Sequence, residues 1–255
     1  MDGKIPELKD ALSSLSHPVV CFSGGLDSTV LLRNVAEYCD SFTTLFIRLP
    51  MNTERQVDIA EKVASHLGVP LRVETLTWDD LKGIERNGSD RCYICKKAIY
   101  AMAFSVAATV DSNIVLAGDN ADDDITKRPG HRAGVELGVM NPLRDAKIGK
   151  RRVIQAIEEM RLPFPMVKDT CMATRFPENH MIGEKEMRFA EECESAVRKV
   201  SGLEQLRIRY DGNVATVTTN PSEMGEMFRL RTQISYELKS RGLECDLDTE
   251  GYKEC

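Results

Sequence analysis

An α/β protein is predicted, with a doubly wound parallel sheet followed by a small C-terminal α/β domain. Three features predict it. Short apolar, β-rich runs alternate with helical patterns through the first two thirds of the chain. Each run is continuous rather than alternating, as in strands covered on both faces. Composition then changes after "LPFPMVKDTCMATRFP", where Pro163, Pro165 and Pro177 interrupt regular structure. The boundary falls near Lys168, giving domains over 1–168 and 169–255.

The elements follow in order. "PVVCFS" is the first strand, and a helix runs from Asp27 to about Tyr38. "TTLFIRL" is the second strand. The helix "TERQVDIAEKVASHLG" carries its own punctuation, with Thr53 as N-cap, Gln56 as its capping-box partner, and Gly68 with Pro70 as the stop. "LRVETL" is the third strand, "CKKAIYAMAFSVAATV" a helix and "NIVLAG" the fourth strand. Ligands of such a sheet sit at the C-terminal ends of its strands. Beyond the boundary come a helix "EKEMRFAEECESAVRKVSG", a strand "LRIRYDG", a turn at Gly212-Asn213 and a strand "VATVTTN". A helix "PSEMGEMFRLRTQISYELKSRG" and an extended piece "LECDLDTEGYK" complete the small domain.

At 255 residues and 42% hydrophobic content, the chain can bury the core of a soluble globular protein. Its longest weakly polar run, "AIYAMAFSVAATV", has 13 residues, short of the ~20 that span a bilayer. No apolar segment precedes Val19, so a signal peptide is not expected, and a cytoplasmic location without membrane contact is. A net charge of −6 opposes extended contact with a polyphosphate backbone and favours small ligands. The basic cluster Lys147, Lys150, Arg151 and Arg152 runs against that average and reads as a solvated face at the start of "KRRVIQAIEEM". Eight cysteines exceed what packing requires without reaching the density of a disulfide scaffold. Cys21, Cys39 and Cys193 lie among apolar residues as small buried hydrophobes, and Cys245 and Cys255 are tail residues. Cys92, Cys95 and Cys171 are left for chemistry.

In "VVCFSGGLDS" the buried strand ends at Phe22, Ser23-Gly24-Gly25 makes the turn, and the helix starts at Asp27 and Ser28. Two glycines let successive backbone N–H groups converge on an anion, and the helix N-terminus adds partial positive charge. The turn suits phosphate. It is neither a Walker A loop, which requires a lysine in the motif, nor a G-x-G-x-x-G fingerprint. The string Ser23-Gly24-Gly25-Leu26-Asp27-Ser28 resembles the SGGxDS signature of the PP-loop ATP pyrophosphatases, which have the adenine nucleotide α-hydrolase-like fold. That resemblance implies that Ser23, Gly24, Gly25, Asp27 and Ser28 bind ATP, with Mg²⁺ neutralising its phosphates, and that cleavage falls between the α- and β-phosphates.

Further segments, "RCYICKKAIY", "LAGDNADDDITKRPGHRAGVELGVMNPL", "DTCMATRFP" and "RIRYDG", resemble in that order the LarE family of ATP-dependent sulfur transferases. The family adenylates a carboxylate of a pyridinium dicarboxylate mononucleotide and replaces its oxygen with sulfur, on the way to a nickel-pincer cofactor. Asp119 departs from the Thr of that family's G-T-N-A-D-D. Gly118, Asn120, Asp122 and Asp123 fit a strand-end loop near ATP, the carboxylates serving Mg²⁺ or ribose; a plain polar turn is the competing interpretation.

Cys92-x-x-Cys95 opens a helix, where the helix terminus favours thiolate. A zinc site needs a fourth ligand; no second CxxC or CxxH exists, and His17, His66, His131 and His180 show no ligand spacing. In single-cysteine members of the family, the residue matching Cys171 gives up its own sulfur. This chain has Cys92 and Cys95 as well, and three thiolates can hold a 4Fe-4S cluster with one iron open to sulfide. Cluster ligation, sacrificial donation by Cys171 and structural zinc all stay open. Arg207 and Arg209 lie two apart on a strand and so share a face, suited to gripping a phosphate or carboxylate bidentately. Arg175 is a weaker candidate for the same work. The expected function is ATP-dependent sulfur transfer from sulfide to a small carboxylate mononucleotide by a homo-oligomer. A 4Fe-4S tRNA thiolase and a non-catalytic nucleotide-binding or cluster-storage protein are the rivals.

Overall fold

A computed structural model describes residues 2–126, 128–166 and 169–251. The boundary residue Lys168, Cys255 and the last two residues of "LECDLDTEGYK" lie outside the described residues. The chain divides into two compact units, Met1–Ile84 with Ser89–Met166, and Glu85–Gly88 with Val167–Cys255.

The first unit contains α1 (Lys9–Ser13), β1 (Val19–Cys21), α2 (Leu26–Tyr38), β2 (Thr43–Arg48), α3 (Glu54–His66), β3 (Leu71–Thr75), α4 (Arg91–Ala108), β4 (Val115–Leu116), α5 (Pro129–Leu137), α6 (Pro142–Asp145) and α7 (Lys150–Met160). Its four strands are parallel in the order β3-β2-β1-β4, as an alternation of apolar runs and helices dictates. Val20 joins a core with Leu8, Leu31 and Val153, and Phe22 joins one with Leu32, Phe46 and Val63. Strand alternation turns Val19 and Cys21 to the opposite face, where α4 packs on β1 and β4. Both faces are therefore covered.

Two strands differ from the sequence expectation. β3 has only β2 beside it, and Arg72, Val73 and Thr75 are exposed, as suits an edge strand. β4 is two residues long, and on its outer side Leu116 forms an isolated parallel bridge with Met140, whose carbonyl accepts from Ala117 N at 2.9 Å. The α3 punctuation holds. The Thr53 hydroxyl accepts from Gln56 N at 3.2 Å, Gln56 Oε1 accepts from Thr53 N at 3.2 Å, and Gly68 ends the helix with φ +68.

The second unit contains α8 (Glu184–Ser201), β5 (Leu206–Asp211), β6 (Val214–Thr219), α9 (Met224–Arg229), α10 (Arg231–Lys239) and β7 (Glu244–Leu247). β5 and β6 form an antiparallel hairpin, and β7 runs parallel to β6. The single helix expected over 221–242 is broken at Leu230, which takes φ −96 and ψ 11. Met227, Leu230, Ile234 and Leu238 are buried on both sides of the break. Asn87 ties Glu85–Gly88 into this unit: its amide donates to the carbonyls of Ala173 (3.3 Å), Phe176 (3.3 Å) and Pro177 (2.8 Å). Among the described residues, no helix is long and apolar enough to cross a membrane.

Candidate active site

At the end of β1, Gly24 adopts φ +74, and a Cβ there would lie 3.1 Å from Ala60 N. Only glycine suits that backbone and that space. The Ser28 hydroxyl then closes the turn, donating to the Gly25 carbonyl at 3.0 Å and lying 3.1 Å from the Ser23 hydroxyl. Gly25 is the N-cap of α2, and no side chain caps that helix. The first-turn N–H groups of α2 therefore keep their capacity for an anion. The turn lines a cleft of about 250 Å³ at the C-terminal ends of the strands, walled on its apolar side by Phe46, Ile47 and Leu49.

The loop after β4 completes the cleft. A Cβ on Gly118 would lie 2.9 Å from Ser28 N, so glycine is what lets this loop approach the start of α2. Asn120 is buried and acts as a clasp. Its Nδ2 donates to Asp27 Oδ1 at 3.0 Å, and its Oδ1 accepts from Asp122 N at 2.9 Å. Asp123 Oδ2 accepts from Asn120 N at 3.0 Å, while its Oδ1 pairs with Arg128 at 2.7 Å. Asp122 does other work than the sequence suggested: its Oδ2 accepts from Lys150 N at 2.6 Å and so caps α7. Gly149 makes room, since a Cβ there would lie 2.5 Å from that oxygen. Asp119 lines the cleft with Oδ2 at 3.6 Å from His131 Nδ1.

Three cations were not singled out as site residues. Lys150 Nζ donates to Asp27 Oδ2 at 2.6 Å, across 123 residues of chain. Its basic cluster is thus not one solvated face: Lys150 turns inward and Arg152 donates to the Lys4 carbonyl at 2.9 Å, leaving Lys147 and Arg151 exposed. Lys96 and Arg128 line the cleft directly. The signal for Lys96 was the helical period, because Cys92, Lys96 and Ile99 fall on one face of α4. Burial alone would lower the Lys96 pKa, but the neighbouring Tyr100, Asp119, Cys21 and Cys95 outweigh it and hold the ammonium above the usual lysine range. Cys21 is half-buried at the cleft rather than a core residue, and burial pushes its thiol up to about 12. Cys39 and Cys193 are buried as expected.

Cys92 and Cys95 occupy the first turn of α4, Cys92 exposed and Cys95 half-buried, on one helical face. Gly130 lets α5 lie on that turn, since a Cβ there would lie 2.8 Å from Lys96 Cγ and 3.1 Å from the Cys92 carbonyl. Cys171 belongs to the second unit. It is half-buried at the start of a 3₁₀ turn, Met172–Arg175, and its carbonyl accepts from Thr174 N at 3.0 Å and the Thr174 hydroxyl at 2.8 Å. Among the described residues, no group of three or more His, Cys, Asp or Glu is arranged to hold a metal ion.

Arg207 and Arg209 share a face of β5, Arg207 buried and Arg209 exposed. Arg175 is not available to a ligand. Its side chain is wholly buried; Nε donates to Glu194 Oε1 at 2.6 Å, Nη2 to Asp169 Oδ1 at 3.0 Å, and Nη1 to the Thr170 hydroxyl at 2.8 Å.

The chain is 28% identical over 227 residues to an uncharacterized protein of Methanocaldococcus jannaschii, covering 89% of this chain and 86% of that one. It is 26% identical over 247 residues to the pyridinium-3,5-bisthiocarboxylic acid mononucleotide synthase of Lactiplantibacillus plantarum, covering 95% and 89%. An uncharacterized protein of Synechocystis is 24% identical over 264 residues, with coverage of 99% and 96%. The family model for asparagine synthase matches residues 8–230. With that match over most of its length, the chain belongs to the asparagine synthase family, as a PP-loop protein of LarE type.

Proposed function

We propose that this protein is an ATP-dependent sulfur transferase that adenylates a carboxylate of a small mononucleotide and replaces the activated oxygen with sulfur, as in nickel-pincer cofactor synthesis. The observation that carries this is the convergence of the glycine turn, the uncapped α2 N-terminus, Lys96 and Arg128 on one cleft, with Lys150 paired to Asp27 on its wall. Similarity over 95% of the chain to a mononucleotide synthase that makes bisthiocarboxylic acid supports the acceptor class.

Ser23, Gly24, Gly25 and Ser28 form the phosphate cradle in this account, with Gly118 and Asn120 seating it against β4. A substrate carboxylate oxygen attacks the α-phosphorus of ATP, the bond to the bridging oxygen breaks, and pyrophosphate leaves with the electron pair. The α2 N-terminus and the three cations stabilise that departing charge. Asp27 and Asp123 are the carboxylates that would hold Mg²⁺, which commonly takes one or two protein carboxylates along with substrate phosphates. Both line the cleft, whereas Asp122 does not and is left out of that set. A sulfur nucleophile then attacks the acyl carbon, the C–O bond to AMP breaks, and Arg207 and Arg209 hold the acceptor's phosphate or remaining carboxylate.

We infer that Cys92, Cys95 and Cys171 would be the three thiolates of a 4Fe-4S cluster; the donor chemistry supports this, three cysteines with two of them one helical turn apart at a helix start. Such a cluster would supply sulfide from its remaining iron, so that the protein need not lose its own sulfur.

The test is anaerobic incubation of the full chain with ATP, Mg²⁺, sulfide and a carboxylated pyridinium mononucleotide. Equal AMP and pyrophosphate, with several thiocarboxylates formed per chain, is the expected result. A single turnover that converts Cys171 to dehydroalanine would make that residue the donor. Salt-sensitive binding and thiolation of tRNA instead would overturn the acceptor assignment. No pyrophosphate with either acceptor would leave a nucleotide-binding protein without catalysis.

A further inference from the structure

Arg175 is a fully buried arginine, and burying a guanidinium is costly unless every donor is met. Apolar packing of equal volume would serve stability as well, so the contacts it makes are the informative feature. On one side Arg175 holds the segment before Cys171, through Asp169 Oδ1 (3.0 Å) and the Thr170 hydroxyl (2.8 Å). On the other it holds Glu194 of α8 through Nε (2.6 Å) and Nη2 (3.3 Å). Glu194 Oε1 in turn accepts from Ile208 N at 3.0 Å. Ile208 stands between Arg207 and Arg209 on the edge strand β5, so a side chain of α8 meets the backbone donor that an edge strand leaves open. A second fastener lies alongside, because Phe176 at the end of the cysteine turn stacks on Tyr210 of β5 with centroids 5.2 Å apart.

We propose that the Arg175–Glu194 pair is a positioning device that locks the Cys171 turn to β5, so that the Cys171 sulfur and an anion held by Arg207 and Arg209 keep one fixed separation. This rests on the assignment of Arg207 and Arg209 as the anion grip. Arg175 touches no reacting atom and acts through the two groups it fastens. An anion at the grip then stands at a set distance from the rigidly held sulfur and repels an anionic reagent that approaches it. When the fastener is loosened, each partner keeps its own chemistry and the coupling between them is lost.

The experiment measures alkylation of Cys171 by the anionic reagent iodoacetate, read by peptide mass spectrometry on the iron-free full chain, with and without inorganic phosphate. Phosphate affinity is measured separately by calorimetry, and folding by circular dichroism. In the native chain phosphate slows Cys171 alkylation at least about fivefold, the low end of coupling between two sites. In Arg175→Lys, which keeps the charge but not the fork, the effect falls below about twofold while phosphate affinity stays within about threefold. Glu194→Gln gives the same loss and carries the test if Arg175→Lys does not fold. A folded variant that retains the full phosphate effect overturns the positioning role. A native chain whose Cys171 ignores phosphate and which binds none overturns the anion grip instead.

Discussion

Gly118→Ala is the sharpest perturbation of the phosphate cradle. The added Cβ would lie 2.9 Å from Ser28 N, 3.0 Å from Ser28 Cα and 3.1 Å from Asp27 C. All three neighbours are backbone atoms, so no side chain can swing away. The helix start must retreat by about half an ångström to reach ordinary contact, which places the change in the range of overpacking, about 1–3 kcal/mol. For a chain of this size that lowers the melting temperature by about 2–10 °C. Function suffers more, because a misplacement of about 1 Å at a reacting group costs about a hundredfold in rate. Pyrophosphate release is therefore expected to fall at least about tenfold in a protein that remains folded at 25 °C. Scanning fluorimetry with and without ATP and Mg²⁺, beside a coupled pyrophosphate assay, measures both. Unchanged melting together with native pyrophosphate release would refute the close approach of β4 to α2 as the basis of the cradle.

Two further outcomes follow from other parts of the molecule. Lys150→Met removes the ammonium 2.6 Å from Asp27; pyrophosphate release should drop about a hundredfold, while stability shifts by less than about 1 kcal/mol because the pair is partly exposed. A stopped-flow rate within about threefold of the native value would remove Lys150 from the site. Burial, reinforced by the Asp40 carboxylate, pushes the Cys39 thiol up to about 11 from an ordinary 9, and the thiol donates to the Leu12 carbonyl at 3.2 Å. Only the unfolded chain loses that proton between those values, so this contribution to stability is full below about pH 9 and fades as pH rises toward 11. Urea midpoints of native and Cys39→Ala chains should converge across that window, and parallel curves would count against it.

Much of the first unit was legible because its signals are local. The apolar runs gave the order of strands and helices, "SGGLDS" gave the turn, and Thr53 with Gln56 gave a helix start that the structure reproduces atom for atom. What escaped is carried by distant pairs. Lys150 looked like part of a solvated basic face, since nothing local to "KRRVIQ" reports an aspartate 123 residues earlier. Asp122 read as a possible metal or ribose partner, and nothing local to it reports that its Oδ2 caps α7. Arg175 looked like a ligand-binding arginine, and Glu194 and Asp169 close off its donors. The break at Leu230 escaped because apolar periodicity continues through it, from Met227 and Leu230 to Ile234 and Leu238.

Which oxygen ATP activates decides the chemistry of this cleft. The direct measurement supplies an acceptor whose carboxylate carries a heavy oxygen isotope, with ATP, Mg²⁺ and sulfide, and determines by mass spectrometry where that oxygen goes. Adenylation of the carboxylate followed by displacement with sulfur predicts one heavy oxygen in the phosphate of AMP and one sulfur in the acceptor. Unlabelled AMP, or ADP and inorganic phosphate in place of AMP and pyrophosphate, would contradict it.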